Sequence, residues 1–219
     1  MRAKKYKESP SAHVCCVQFC LRLSTMVRSV VLLLASAFVA VQANPTVVSI
    51  YYESLCPDSI AFINTQFTPT YNELGKENIQ VDYLPYGKAR QTMVNGNWQF
   101  ICQHGSDECR GNKMMACAIK YITDVDVLVQ FIDCVMGSIY PPDAGNACAT
   151  IHNVNWTPIN TCWMSTESDD LLAAYGDRTH ALTPAITFVP TIVFDGVFNQ
   201  ADQDESLTNF KAVTCRHLS

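Results

Sequence analysis

Cys56 and Ser59, three apart in the run Leu55-Cys56-Pro57-Asp58-Ser59, are the residues whose types and spacing best suit bond-breaking chemistry. A cysteine directly before a proline reads as a thiol at the start of a helix, because Pro57 fits the first helical turn, where its missing N–H would be unpaired anyway. The unpaired N–H groups and positive dipole of that turn stabilise a thiolate. They move a cysteine pKa from about 8.5 into a range of roughly 3.5–7.5. The consequence is large in acid. At pH 5 an ordinary thiol is ionised to about 0.03%, whereas one of pKa about 5 is half ionised. Such a sulfur can attack a disulfide. Ser59 stands where a two-cysteine site keeps its resolving thiol. Its hydroxyl either donates to the Cys56 thiolate or belongs to an ordinary helix-N-terminal serine. It cannot resolve a mixed disulfide, since no alkoxide is available at these pH values. The competing reading of Cys56 is one more bridge cysteine.

A thiol of this kind needs a strand to deliver it and a helix to receive it. Thr46 to Tyr52 (TVVSIYY) is rich in β-branched and aromatic residues and predicts a buried strand. Ile60, Ile63 and Phe67 follow Cys56 at helical spacing, with Pro69 expected to kink that helix and Gly75 to end it. Ile79 to Leu84 predicts a second strand. Helices are expected over Asn112 to Ile122, Val125 to Met136 and Glu167 to Tyr175, the last with Ser165 or Thr166 as cap and Gly176 past its end. Ala185 to Phe194 reads as a strand interrupted by Pro190, and Asp195-Gly196 as a two-residue hairpin turn into Val197-Phe198. A helix over Asp204 to His217 closes the chain. Strand–helix–strand, helical insert, hairpin and final helix is the α/β layout of a thioredoxin-like fold with a cysteine-rich helical insertion, here at about 98–176. In such folds the later proline is cis and packs against the reactive cysteine, which makes Val189 and Pro190 the candidate lining of a substrate groove.

The start of the chain indicates the compartment. Val30 to Val41 (VVLLLASAFVAV) is an unbroken apolar run behind Arg28, with small residues at Val41-Gln42-Ala43. It is too short for a bilayer span, which needs about 20 residues, and it suits a signal-peptide core. The expected organisation is an upstream extension over 1–25, a signal peptide over 26–43 and a single domain over 44–219. Of 15 basic residues six fall before Asn44, and of 20 acidic residues one does, so the remainder carries nine basic and 19 acidic residues, a formal charge of −10. That balance disfavours nucleic acid or an anionic membrane as partner. Eight of the eleven cysteines remain: Cys56, Cys102, Cys109, Cys117, Cys134, Cys148, Cys162 and Cys215. Behind a signal peptide the seven besides Cys56 read as structural disulfide candidates. Sequence does not assign their pairs, and an odd number leaves one for a free thiol or a disulfide-linked dimer. Asn155-Trp156-Thr157 is a sequon, making Asn155 the candidate glycosylation site of a secreted or lysosomal glycoprotein.

One longer pattern stands apart. Cys102-Gln103-His104-Gly105 is followed by two residues, Glu108-Cys109, two more, Asn112, four more and Cys117. This resembles at every fixed position the signature of the gamma-interferon-inducible lysosomal thiol reductase family. Leu55-Cys56, Leu84-Pro85-Tyr86-Gly87 and Val189-Pro190 extend the similarity over about residues 46–217. The resemblance implies a thioredoxin-like fold, reduction of protein disulfides at acidic pH, no cofactor, and Cys56 as attacking thiol. Ser59 departs from a two-cysteine site, so release of substrate would need a small thiol such as glutathione or cysteine, or the substrate's own second thiol. The signature itself reads either as a disulfide-tied loop entering the helix at Asn112 or as a means for His104 to touch substrate or tune Cys56. A zinc site from Cys102, His104, Cys109 and Cys117 has the wrong spacing, and no metal is expected. The alternative function is a secreted, immune-related binding protein that kept the scaffold without turnover. Rapid alkylation of a single native cysteine at pH 5 separates the two.

Overall fold

The computed structural model describes residues 44–218. The upstream extension and signal peptide expected over 1–43 lie outside those residues. Strand β1 (Thr46–Tyr52) leads into α1 (Pro57–Phe62), a π-helical turn (Ile63–Phe67) and α2 (Thr68–Leu74), followed by β2 (Ile79–Pro85). Then come β3 (Arg90–Val94), β4 (Asn97–Ile101), α3 (Ser106–Tyr121), α4 (Val125–Met136), α5 (Gly145–Ile151), α6 (Trp156–Trp163) and α7 (Glu167–Ala181). The chain closes with β5 (Thr191–Phe194) and α8 (Gln200–His217).

The main sheet runs β2-β1-β5. β1 pairs in parallel with β2, from Thr46 opposite Ile79 to Tyr52 opposite Pro85, and antiparallel with β5, from Val48 opposite Phe194 to Tyr51 opposite Thr191. A central strand loses water on both faces, which explains why β1 reads as nearly continuous apolar sequence. Ile50, Tyr52, Phe62, Phe67, Ile79, Phe131 and Phe210 meet in one core. Fully burying each such side chain contributes about 1.5–3 kcal/mol. Caps fix helix starts where the sequence supplies them: Asp124 accepts from Asp126 N and Val127 N at the head of α4, and Asn199 from Ala201 N and Asp202 N at the head of α8.

The order of elements is the expected one, with several differences in extent. Near Pro69, where the helix is expected to kink, the α-helical ladder is interrupted by a π-turn over Ile63–Phe67. α3 begins at Ser106, a turn and a half before Asn112, because Asp107 and Glu108 in its first turn suit the positive helix end even with Gly105 as N-cap. α7 continues past Gly176 to Ala181; the Tyr86 ring occupies the space a Cβ there would need. β5 is limited to Thr191–Phe194, and residues 185–189 before it are irregular and mostly exposed. Val197 makes only an isolated bridge to Phe194, so no second hairpin strand forms. The β3–β4 hairpin and the helices α5 and α6 were not foreseen.

Candidate functional site

Cys56 is the N-cap residue of α1, in extended conformation, with Pro57 in the first turn. Its carbonyl accepts from Ile60 N at 3.0 Å and its own N–H donates to Glu53 O at 3.3 Å. The end of β1 and the start of α1 thus hold the residue from both sides. The residue is buried, 6% exposed, and its thiol donates to Val189 O at 3.5 Å. The Val189–Pro190 peptide is cis. The sequence-predicted pair Val189 and Pro190 is therefore brought to Cys56. That proline loop is fastened from behind by a residue the sequence reading missed. Gln203 of α8 accepts Ile192 N at 2.8 Å and donates to Pro190 O at 2.9 Å, both buried. Gln203 is one of two glutamines in the first turns of α8, and nothing in the sequence singles it out for that duty.

Ser59 is fully buried, and its Oγ accepts Glu53 N–H at 3.4 Å. Its hydroxyl thus belongs, at least in part, to the backbone of the turn before Cys56. Cys102 is joined to Cys109, Cys117 to Cys162 and Cys134 to Cys148. Cys215 is not a free thiol either. Cys56 is the free cysteine among the described residues. Cys102, Cys109 and Cys117 each being bonded to another sulfur, His104 has no thiolate set around it for zinc. Asn155 is exposed and caps α6 by accepting from Thr157 N at 3.2 Å.

The signature residues converge on the four residues Glu53 to Cys56. Asn112 Oδ1 accepts Ser54 N–H at 2.9 Å, and Ser54 Oγ donates to the Glu108 carbonyl at 3.0 Å. Glu53 and Glu108 are both fully buried. His104 Nδ1 lies 2.5 Å from Glu108 Oε2 and 3.6 Å from Glu53 Oε2. Lys88 N donates to Glu53 Oε1 at 2.7 Å. Gly87, at φ +58°, is the turn residue that lets the β2 exit come this close, since a Cβ there would stand 2.3 Å from Glu53 Cγ. Burial is the main cause pushing the Glu53 carboxyl up to about 7, and the neighbouring Glu108 adds to it; the Lys88 N–H and the charges of His104 and Lys88 oppose. The two glutamates are the second omission of the sequence reading. Nothing in their spacing of 55 positions says that they meet.

A family model described as Gamma interferon inducible lysosomal thiol reductase matches residues 47–152. The chain is 35% identical to GILT-like protein 1 of Drosophila melanogaster over 201 residues, 85% of this chain and 79% of that protein. It is 34% identical to the gamma-interferon-inducible lysosomal thiol reductase-like protein of Anopheles gambiae over 205 residues, covering 88% and 85%. It is 32% identical to the gamma-interferon-inducible lysosomal thiol reductase of Carassius auratus over 175 residues, covering 79% and 68%. Among solved structures, oxidised BdbD from Bacillus subtilis superposes with a TM-score of 0.54 at 14% identity, over 80% of this chain and 88% of the other. The shared architecture is the thioredoxin-like fold.

Proposed function

We propose that this chain, which belongs to the gamma interferon inducible lysosomal thiol reductase family and is a thiol–disulfide oxidoreductase, attacks substrate disulfides through Cys56 at acidic pH. The observation that carries this reading is position. A free thiol caps a helix, within hydrogen-bonding reach of the carbonyl before a cis proline, in a chain whose other described cysteines are bonded. The first-turn N–H groups of α1 favour negative charge at that sulfur.

The Cys56 thiolate attacks one sulfur of a protein disulfide. The substrate S–S bond breaks, a Cys56–substrate disulfide forms, and the second substrate sulfur leaves as a thiolate and takes up a proton. Loss of the Cys56 proton also frees Val189 O to accept an N–H from the substrate backbone alongside Pro190. Ser59 cannot attack the mixed disulfide. A small thiol such as glutathione or cysteine does so, releasing Cys56 and leaving the substrate capped by that thiol. A second small thiol removes the cap, so two small thiols are oxidised to one disulfide for each protein disulfide reduced. Where the substrate's own thiol attacks instead, the bond is rearranged with no net electron transfer. The setting that fits this chemistry is a lysosomal or secreted one, with disulfide-bearing proteins as substrates.

The Cys-x-x-Ser reading is tested at Ser59. Ser59→Cys supplies a resolving thiol within the same molecule, and reductase turnover at pH 5 is expected to rise about tenfold at low concentrations of small thiol. The gain should shrink as that thiol is raised. Unchanged turnover across that range would show that resolution is not what Ser59 limits.

A further inference from the structure

The segment from Cys102 to Cys109 offers no thiol of its own, yet it grips the loop that carries Cys56. Ser54 is held by Asn112 Oδ1 and by the Glu108 carbonyl, and a Cβ on Gly111 would lie 2.5 Å from Ser54 Oγ, so α3 rests directly on that residue. One residue earlier, Glu53 presses its carboxyl into the same segment. The charged and titratable groups facing it are Glu108 and His104 from that segment and α3, and Lys88 from the exit of β2. Gln103 adds its side-chain amide, which in its satisfied orientation donates to both Glu53 oxygens at 3.2 Å. Two carboxyls buried side by side are costly when both are ionised.

We propose that Glu53 is a positioning residue for the exchange reaction: uncharged, it seats the Cys56 loop on the disulfide-tied signature segment, and ionised beside Glu108 it loosens that seat. The effect on turnover rests on Cys56 being the attacking thiol; the effect on the seat does not. A metal ion suits the cluster poorly, because Lys88 N, the Gln103 amide and His104 N already occupy carboxylate lone pairs that a cation would need. The direction of the pH effect follows from burial. Glu53 holds its proton in the fold up to about 7, against 4.5 for an ordinary glutamate. Its contribution is therefore complete below about pH 4.5 and is lost as pH rises through about 7. The seat is tightest in acid, which is where the proposed chemistry takes place.

The test compares the full chain with Glu53→Gln, an uncharged isostere, between pH 5 and 8, reading two quantities. One is hydrogen-exchange protection of the Ser54 amide, the N–H held by Asn112. The other is disulfide turnover. At pH 8 only about one molecule in ten retains a neutral Glu53 if its pKa is about 7. Both the protection and the turnover of the unmodified chain, each divided by that of Glu53→Gln, are therefore expected to fall about tenfold from pH 5 to pH 8. Ratios flat with pH would overturn the inference. So would a fall in protection with a flat turnover ratio. A fall in protection with no turnover in either protein at any pH would leave the seat standing and overturn the reading of Cys56 instead. If Glu53→Gln does not fold, carboxyl-labelled glutamate in the unmodified chain decides by NMR: one carboxyl titrating near pH 7 supports the seat, and none titrating above pH 6 overturns it.

Discussion

Cys56→Ser is expected to lower disulfide exchange at pH 5 by at least about a hundredfold, to the background set by the small thiol itself. The loss is chemical and not structural. Serine keeps an O–H donor for Val189 O, the sulfur's hydrogen-bond partner among the described residues, and keeps the backbone bonds to Glu53 and Ile60. A serine is also a good N-cap. Thermal stability should therefore change by about 1 kcal/mol or less, measured beside turnover on the same preparation. A variant that retained most of the turnover would move the chemistry to another sulfur, and the described residues offer no other free one.

A large effect on stability is expected from the Cys117–Cys162 bridge. It ties α3 to α6 across 45 residues, and both sulfurs are fully buried in the main core. In the chain-entropy picture, closing a loop of that size stabilises the fold by about 4 kcal/mol. The Cys117→Ala/Cys162→Ala protein should accordingly lose about 4 kcal/mol, a fall of roughly 8–16 °C in Tm for a chain of this size. Removing Cys102–Cys109, which spans only seven residues, should cost about 2.5 kcal/mol by the same relation. Guanidinium titrations of the two variants measure the difference. Equal losses would mean that strain or residual structure, and not loop length, sets the worth of these bridges.

The elements nearest the proposed chemistry were the most legible in the sequence. β1 carries seven consecutive residues suited to a buried strand, Pro57 marks the helix start, and Asp124 and Gly137 bracket α4, whose apolar spacing is regular. One of the two readings of the signature was a disulfide-tied loop entering the helix at Asn112; the Cys102–Cys109 bridge is there, but the helix already begins at Ser106 and contains Cys109. Other features were hidden for physical reasons. β4 alternates, Asn97-Trp98-Gln99-Phe100, and follows the turn pair Asn95-Gly96, but β3 and β4 both lie mostly exposed, so neither carries the continuous apolar run of a core strand. Residues 185–189 carry the apolar composition of a strand, yet they form the irregular approach to Pro190, with Phe188 left 40% exposed. Composition alone does not separate a strand from a loop that must present its backbone.

The partners of the site were less readable than its thiol. Ser59 could be placed by its spacing from Cys56, but its acceptance of the Glu53 N–H depends on how the turn folds back. Glu53, Glu108, Lys88 and Gln203 reach the Cys56 neighbourhood from four different parts of the chain. Such convergence is a tertiary fact. A buried acid in sequence looks like any exposed one until its neighbours are known.

Trapping the reaction midway tests the role of Cys56 most directly. The purified chain is mixed with a protein disulfide at pH 5 without small thiol, quenched in strong acid, digested unreduced and mapped by mass spectrometry. With no resolving thiol at Ser59, a substrate cysteine should accumulate in disulfide linkage to the peptide containing Cys56, and added glutathione should discharge it. An unmodified Cys56 peptide, or substrate linked to any other cysteine, would contradict the account.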